Sequence, residues 1–271
     1  MKNILEKIYL AVIFIFLYLP IAALVVLSFN ESKYMSTWGG FSLKWYESLF
    51  NSQIIMSALQ NTLIIALISA AIATLIGTAA CLGISSMKKI PRTIVMGITN
   101  IPMLNADIVT GISLMLCFLA FGITLSMKTV ILAHITFNIP YVILSVMPRI
   151  KQLESSTYEA ALDLGASPAQ AFVKIVLPDI MPGILSGFLL AFTMSLDDFI
   201  ITHFTKGAGI NTISTLVYSE LRKGIKPNLY ALSTIMFAAV LVLLIIMNLP
   251  KRKDNEITKK ENKNKRQENF T

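Results

Sequence analysis

The sequence predicts an all-α integral membrane protein with six transmembrane helices and both termini in the cytoplasm. Three observations carry this. Of its 271 residues, 55% are hydrophobic and only 14% charged, against roughly 45–50% and about 25% in soluble domains. The apolar residues gather into six runs, each near or beyond the length of about 20 residues that crosses a bilayer. With the N-terminus inside, sixteen of the 23 Lys and Arg fall in the inner segments, which is the bias that sets membrane orientation.

The runs are Ile8–Phe29, Ser57–Ser86, Thr93–Phe121, Thr129–Met147, Gly183–His203 and Tyr230–Leu249. Backbone groups in lipid must be satisfied within the element, so each run is expected to be a helix. Outer-membrane strands would alternate over about ten residues, and nothing here does. The first run is longer than the roughly 7–15 residues of a signal-peptide core and lacks a small-residue cleavage site, so it is expected to remain as a span. Cys81 and Cys117 lie inside the second and third runs. They are expected to be buried small apolar residues, with no disulfide or metal framework. The net charge of +8 reflects topology and the tail 251–271. That tail reads as disordered and suited to anionic headgroups; it lacks the aromatic interleaving of a nucleic-acid binder. The membrane domain is therefore placed at 1–250.

The segment 150–182 becomes the longest cytoplasmic piece between spans, and it carries strong helix grammar. Ser156 and Glu159 form a capping-box pattern that starts a helix at Thr157. Gly165 ends it. Ser167, Pro168 and Gln170 start a second helix, and Pro178 and Pro182 are expected to restart the chain before the fifth span. Ala160 and Ala161 permit close approach of a partner, and Ala171, Phe172, Ile175 and Val176 form a packing stripe. Spacing alone leaves two readings open: a hairpin resting on its own spans, or a docking surface for a partner.

The order Glu159-Ala160-Ala161, three residues, Gly165, nine residues, Ile175, one residue, Leu177-Pro178 resembles the "EAA" loop of ABC importer permeases at every position. The resemblance implies the type I importer permease architecture in a bacterial cytoplasmic membrane. It makes this loop the element that couples to a separate ATP-binding subunit. No G-x-x-x-x-G-K-[ST] phosphate loop is present, so this chain is expected to bind no cofactor itself; ATP and Mg would be used by the partner. Further stretches narrow the likeness: "SFN" at 28–30, "FSLKWY" at 41–46, "DIV" at 107–109, "HITFNIP" at 134–140, "ALDLGAS" at 161–167 and "SLDDF" at 195–199. Together they are similar to the permeases of spermidine/putrescine importers. The partners this implies are a second homologous permease subunit, two ATP-binding subunits, an extracytoplasmic polyamine-binding protein and the lipid bilayer, with no nucleic acid.

Polar residues inside the spans point to the substrate route. Asp107, Asp197 and Asp198 lie within apolar runs without a Lys or Arg at similar depth. A buried Asp costs roughly 2.5–3.5 kcal/mol on insertion scales, which marks it as functional. Counting about 1.5 Å per residue along unbroken helices puts Asp107 and Asp197 at similar heights, roughly 21 Å above the inner ends of their spans. Neighbouring Asp197 and Asp198 differ by about 100° around a helix, so one lines the route while the other bonds a neighbour, or both lie at a helix break. Asp198, then Asp107, are expected to face the route. Phe137, Tyr141 and Phe199 are either cation–π faces or ordinary packing. His134 is expected to make an interhelical hydrogen bond. Pro102, Gly111, Pro140 and Pro148 can bend spans. "WGGFSLKWYESLF" at 38–50 is expected at the outer interface, with Trp38, Trp45 and Tyr46 at headgroup level.

A carboxylate-lined route selects cations, and flexible polycations fit one flanked by aromatic rings. Other cargo, such as iron(III), sulfate or an aminophosphonate, is an alternative within the same machine. An ion-coupled secondary transporter and an intramembrane enzyme using Asp107 and Asp198 are alternatives of another class; neither accounts for the loop. The leading expectation is a transporter subunit with no catalytic residue and no metal site.

Overall fold

The structure, a computed structural model, describes residues 2–34, 37–153, 155–223 and 227–248. The tail 251–271, expected to be disordered, lies outside the described residues. The helices in chain order are α1 (Lys2–Ser28), α2 (Lys44–Phe50), α3 (Gln53–Ser85), α4 (Lys89–Leu104), α5 (Asp107–Ala120), α6 (Met127–Gln152), α7 (Ser155–Asp163), α8 (Pro168–Ala171), a π turn (Phe172–Val176), α9 (Leu177–Asp197), α10 (Ile200–Thr205), α11 (Ile213–Lys223) and α12 (Pro227–Asn248). Among the described residues, the only other pairing is an isolated bridge between Asn30 and Phe41.

Four helices are long and apolar enough to cross a membrane: Glu6–Ser28, Gln53–Ser85, Met127–Gln152 and Pro168–Asp197. The third apolar run is not one straight span. It breaks after Leu104 and resumes at Asp107, with α4 and α5 meeting at a 104° bend; counted together they make a fifth crossing. Pro102, two residues before the end of α4, cannot donate a backbone hydrogen bond. The fifth run is also interrupted, at Asp198 and Phe199. Heights reckoned along unbroken helices therefore do not apply to these carboxylates. The sixth run lies in α12, a helix of 22 residues.

The described residues form two compact units, one within 2–47 together with 227–248 and the other within 48–223. In the first, α1 and α12 pack together, while Ile8, Leu10, Phe14, Phe16 and Leu19 of α1 stay more than half exposed, as lipid-facing residues do. The chain leaving α1 wraps around Asn30. The Asn30 amide donates to Thr37 O (2.9 Å) and accepts from the N–H groups of Gly39 (2.8 Å) and Ser32 (3.2 Å). Trp38 is exposed, but Trp45 is buried and donates its indole N–H to Asn30 O at 2.7 Å. The Tyr46 hydroxyl meets Ser28 Oγ at 2.7 Å. Trp45 thus closes this turn: its N–H pairs with a carbonyl that would otherwise be buried unpaired.

In the second unit α3, α6 and α9 pack against one another. Apolar surface gains nothing from leaving lipid, so close backbone approach holds such helices together. Ala66, Ala70, Ala73 and Cys81 of α3 are fully buried, and a Cβ on Gly77 would stand 2.8 Å from Val142 Cβ on α6. A polar cluster crosses the same seam. Asn138 Nδ2 donates to Ser195 Oγ at 2.8 Å, and Ser195 Oγ lies 3.2 Å from Ser69 Oγ. Cys81 is buried as expected; Cys117 is exposed, because it borders a cavity of about 350 Å³ beside the α4–α5 break.

The two glycines of α3 make opposite predictions. Gly77→Ala must push Val142 aside and is expected to destabilise the chain by about 1–3 kcal/mol. Gly83 has nothing within 4 Å of a would-be Cβ, so Gly83→Ala is expected to stabilise by about 0.5–1 kcal/mol through helix propensity. Thermal unfolding of the purified variants in detergent measures both signs.

Candidate functional site

Two sites are built at the ends of one long helix. The first is the hairpin of α7 and α8. Helix α7 starts at Ser155, so Ser156 lies inside it and the expected box with Glu159 does not form. Its C-terminus follows the glycine rule. The Ala166 N–H donates to Ala161 O (3.0 Å) and the Gly165 N–H to Leu162 O (2.9 Å), with Gly165 at φ +85°; this is a Schellman stop. The second start forms as a capping box. The Gln170 N–H donates to Ser167 Oγ at 3.3 Å, and the Ser167 N–H donates to Gln170 Oε1 at 3.0 Å, with Pro168 in the first turn.

The chain does not restart at Pro178 and Pro182. Helix continues from Pro168 to Asp197, because the π turn at Phe172–Val176 shifts the bonding register ahead of Pro178 and removes the clash a proline makes in a regular helix. Glu159, Ala160, Gly165 and Pro178 are exposed; Ala161, Ile175 and Leu177 are half-buried; Ala171 is buried. Leu164, 89% exposed at the tip of the turn, was not singled out from sequence. An apolar residue directly before the stop glycine is the signal that could have found it.

At the other end of this helix lies a cavity of about 380 Å³ lined by Asp107, Asp197, Asp198, Phe137, Phe199, Met194 and Ile200. All three sequence-predicted carboxylates meet there. Each sits at a helix end: Asp107 opens α5, Asp197 closes α9, and Asp198 precedes α10. Their surroundings differ. The Asp198 carboxylate accepts from the Ile201 N–H (3.2 Å), the Thr202 N–H (2.8 Å) and the Thr202 hydroxyl (2.9 Å). His134, fully buried, places Nε2 2.9 Å from Thr202 Oγ1 and 3.4 Å from Asp198 Oδ2. The expected interhelical bond of His134 is therefore present, joining α6 to α10. Since Thr202 gives its hydroxyl proton to Asp198, His134 donates to Thr202 from Nε2; its Nδ1 is buried without a hydrogen-bond partner.

Asp107 lies at a helix N-terminus, where unpaired N–H groups favour an anion. Asp197 lies at a helix C-terminus, where carbonyl dipoles add to its negative charge, and it is exposed. No Lys or Arg lines the cavity. The lining thus gathers three carboxylates and no cation, and Asp197 meets opposing carbonyl dipoles. Phe137 stacks edge-on with His134 and with Tyr141, each at 5.8 Å, so Tyr141 supports the wall without lining it. Phe199 stacks on Tyr218 of α11 at 4.3 Å. Tyr218, Met194 and Thr202 were missed from sequence: packing of α11 alone brings Tyr218 onto Phe199, whereas Met194 and Thr202 lie about one helical turn from Asp197 and Asp198, a spacing that could have found them.

Comparison with known proteins identifies the family. Residues 73–250 match the family model described as binding-protein-dependent transport system inner membrane component. The chain is 36% identical to the spermidine/putrescine transport system permease protein PotC of Haemophilus influenzae, over 93% of this chain and 98% of that protein. It is 40% identical to the putrescine transport system permease protein PotI of Escherichia coli, over 84% of this chain and 83% of that one. Its fold superposes with a TM-score of 0.71, at 20% identity, on a chain from a bacterial ABC transporter that imports the acidic polysaccharide alginate, covering 91% of this chain and 94% of that one. With four or more apolar helices of membrane-crossing length and a family model that spans most of its length, the chain belongs to the inner-membrane components of binding-protein-dependent transport systems.

Proposed function

We propose that this chain is a membrane subunit of an ATP-driven polyamine importer, moving spermidine or putrescine. The observation that carries the reading is the cavity at the end of α9: three carboxylates and two aromatic rings at helix breaks, with no cation to neutralise them. Broken helices in membranes commonly hold a substrate or ion at the exposed ends. Asp197 and Asp107 are the direct partners of the substrate ammonium groups. Phe137 and Phe199 face the methylene stretch or an ammonium. Asp198 holds the break in place through Thr202 and His134. Anionic cargo such as sulfate would meet repulsion here.

The hairpin couples this site to energy. Glu159, Ala160, Ala161, Gly165, Ile175, Leu177 and Pro178 form the surface for a separate ATP-binding subunit, and exposed Leu164 adds an apolar anchor. Since helix runs without interruption from Pro168 to Asp197, about 45 Å at 1.5 Å per residue, displacing the hairpin moves Asp197. The assembly would comprise a second permease of the PotB type, two ATPase subunits of the PotA type using ATP and Mg, and an extracytoplasmic binding protein of the PotD type. This chain performs no covalent chemistry and needs no cofactor of its own.

ATP-dependent uptake of labelled spermidine and putrescine by the full complex in vesicles tests the reading. Asp197→Asn and Asp107→Asn are expected to raise KM at least tenfold without lowering Tm. Asp198→Asn is expected to reduce uptake and also to lower Tm, because it weakens a helix cap worth about 1–2 kcal/mol. Equal polyamine affinity in wild type and Asp197→Asn would remove Asp197 from the route. Glu159→Lys is expected to leave the loaded binding protein able to dock while abolishing stimulated ATP hydrolysis. Stimulation of ATPase by a binding protein carrying another cargo, with no polyamine uptake, would retain the machine and overturn the substrate.

A further inference from the structure

The largest of the described cavities serves neither site above. It measures about 740 Å³ and lies between the start of α4 and the end of α6. Lys89, Arg92 and Lys151 converge on it, with Met87 and Met96 as apolar floor and Asn100 alongside. No carboxylate lines it, and none of these three cations has an ion pair among the described residues. Among the described residues the Arg92 guanidinium, with five donors to place, donates to Met147 Sδ at 3.5 Å, a weak acceptor. Asn100 Oδ1 is buried without a hydrogen-bond partner.

This donor set calls for a ligand of defined chemistry. Three cations and an apolar floor suit a phosphate attached to something apolar. An unsatisfied amide oxygen beside them suits a hydroxyl on that same ligand. The membrane supplies both together. Ile90, Ile94 and Ile98 occupy another face of α4 and are each more than half exposed, an apolar surface along which acyl chains can lie. The cleft is on the side that the Lys and Arg distribution places inside, where basic pockets between membrane helices capture anionic headgroups. We propose that this cleft binds the headgroup of an anionic glycerophospholipid, its phosphate held by Lys89, Arg92 and Lys151 and a glycerol hydroxyl donated to Asn100 Oδ1. This stands independently of the cargo.

The test is native mass spectrometry of the full chain with its copurifying subunits, released from nanodiscs of defined phosphatidylglycerol and phosphatidylethanolamine content. Wild type is expected to retain phosphatidylglycerol in preference to phosphatidylethanolamine. Removing cations in Lys89→Gln/Lys151→Gln, and separately in Arg92→Gln, is expected to weaken retention about fivefold per charge, while Lys128→Gln, a lysine outside the cleft, leaves it unchanged. Asn100→Leu is expected to narrow the preference for phosphatidylglycerol over phosphatidic acid, which lacks the headgroup hydroxyls. Tm of each variant separates lost lipid from lost fold. The proposal is overturned if folded charge variants retain phosphatidylglycerol as wild type does. It is overturned equally if inorganic phosphate displaces the lipid and occupies the site alone, or if the variants shed the ATPase subunit while keeping the lipid.

Discussion

A helix that stops inside a membrane leaves N–H and C=O groups unpaired where no bulk water can reach them. This chain stops two helices in that way, at the α4–α5 bend and between α9 and α10, and the rest of the site depends on how those ends are satisfied. Asp198 meets the N-terminus of α10 with three hydrogen bonds and is in turn held by His134. Thr129 Oγ1 adds a second tie from α6, donating to Thr205 O at 2.8 Å. With α10 secured, α9 can end at Asp197 and expose that carboxylate to the cavity.

The same constraint explains why three nearby carboxylates do not behave alike. One is consumed by its own backbone, one rests at the positive end of a helix, and one sits at a negative end. The last meets opposing carbonyl dipoles, so it has the strongest demand for an external cation. The neutral wall of Phe137, supported by Tyr141 and His134, keeps the surroundings of low polarity, where charge interactions are strong.

Mechanical continuity links this site to the hairpin. Two prolines near the start of α9 would ordinarily mark a joint. The π turn absorbs the change of register instead, so α8 and α9 form a single lever with the hairpin at one end and Asp197 at the other. At the seam against α6, a Cβ on Gly183 would stand 2.9 Å from Arg149 Cγ and one on Gly187 3.4 Å from Ser145 Cβ, so these glycines let α9 approach α6 closely.

The sequence by itself determined the helical membrane class, the hairpin with its Gly165 stop and Ser167 start, and the identity of the three carboxylates. These are legible because they rest on local rules: apolar run length, capping chemistry, and the cost of charge in lipid. It did not reveal where the apolar runs break. Thr93–Phe121 reads as one span, since composition does not change at Asn105 and Ala106, while Pro178 and Pro182 read as breaks and are not. Whether a proline or a polar residue interrupts a helix depends on what lies opposite to satisfy the freed groups. Tertiary structure alone decided that Trp45 turns inward to Asn30, that Cys117 is exposed, and that Asp198 is bound by Thr202 and His134 while Asp197 faces the cavity. Residues 134 and 198 are far apart in the chain, and only the packing of α6 against α10 brings them within reach.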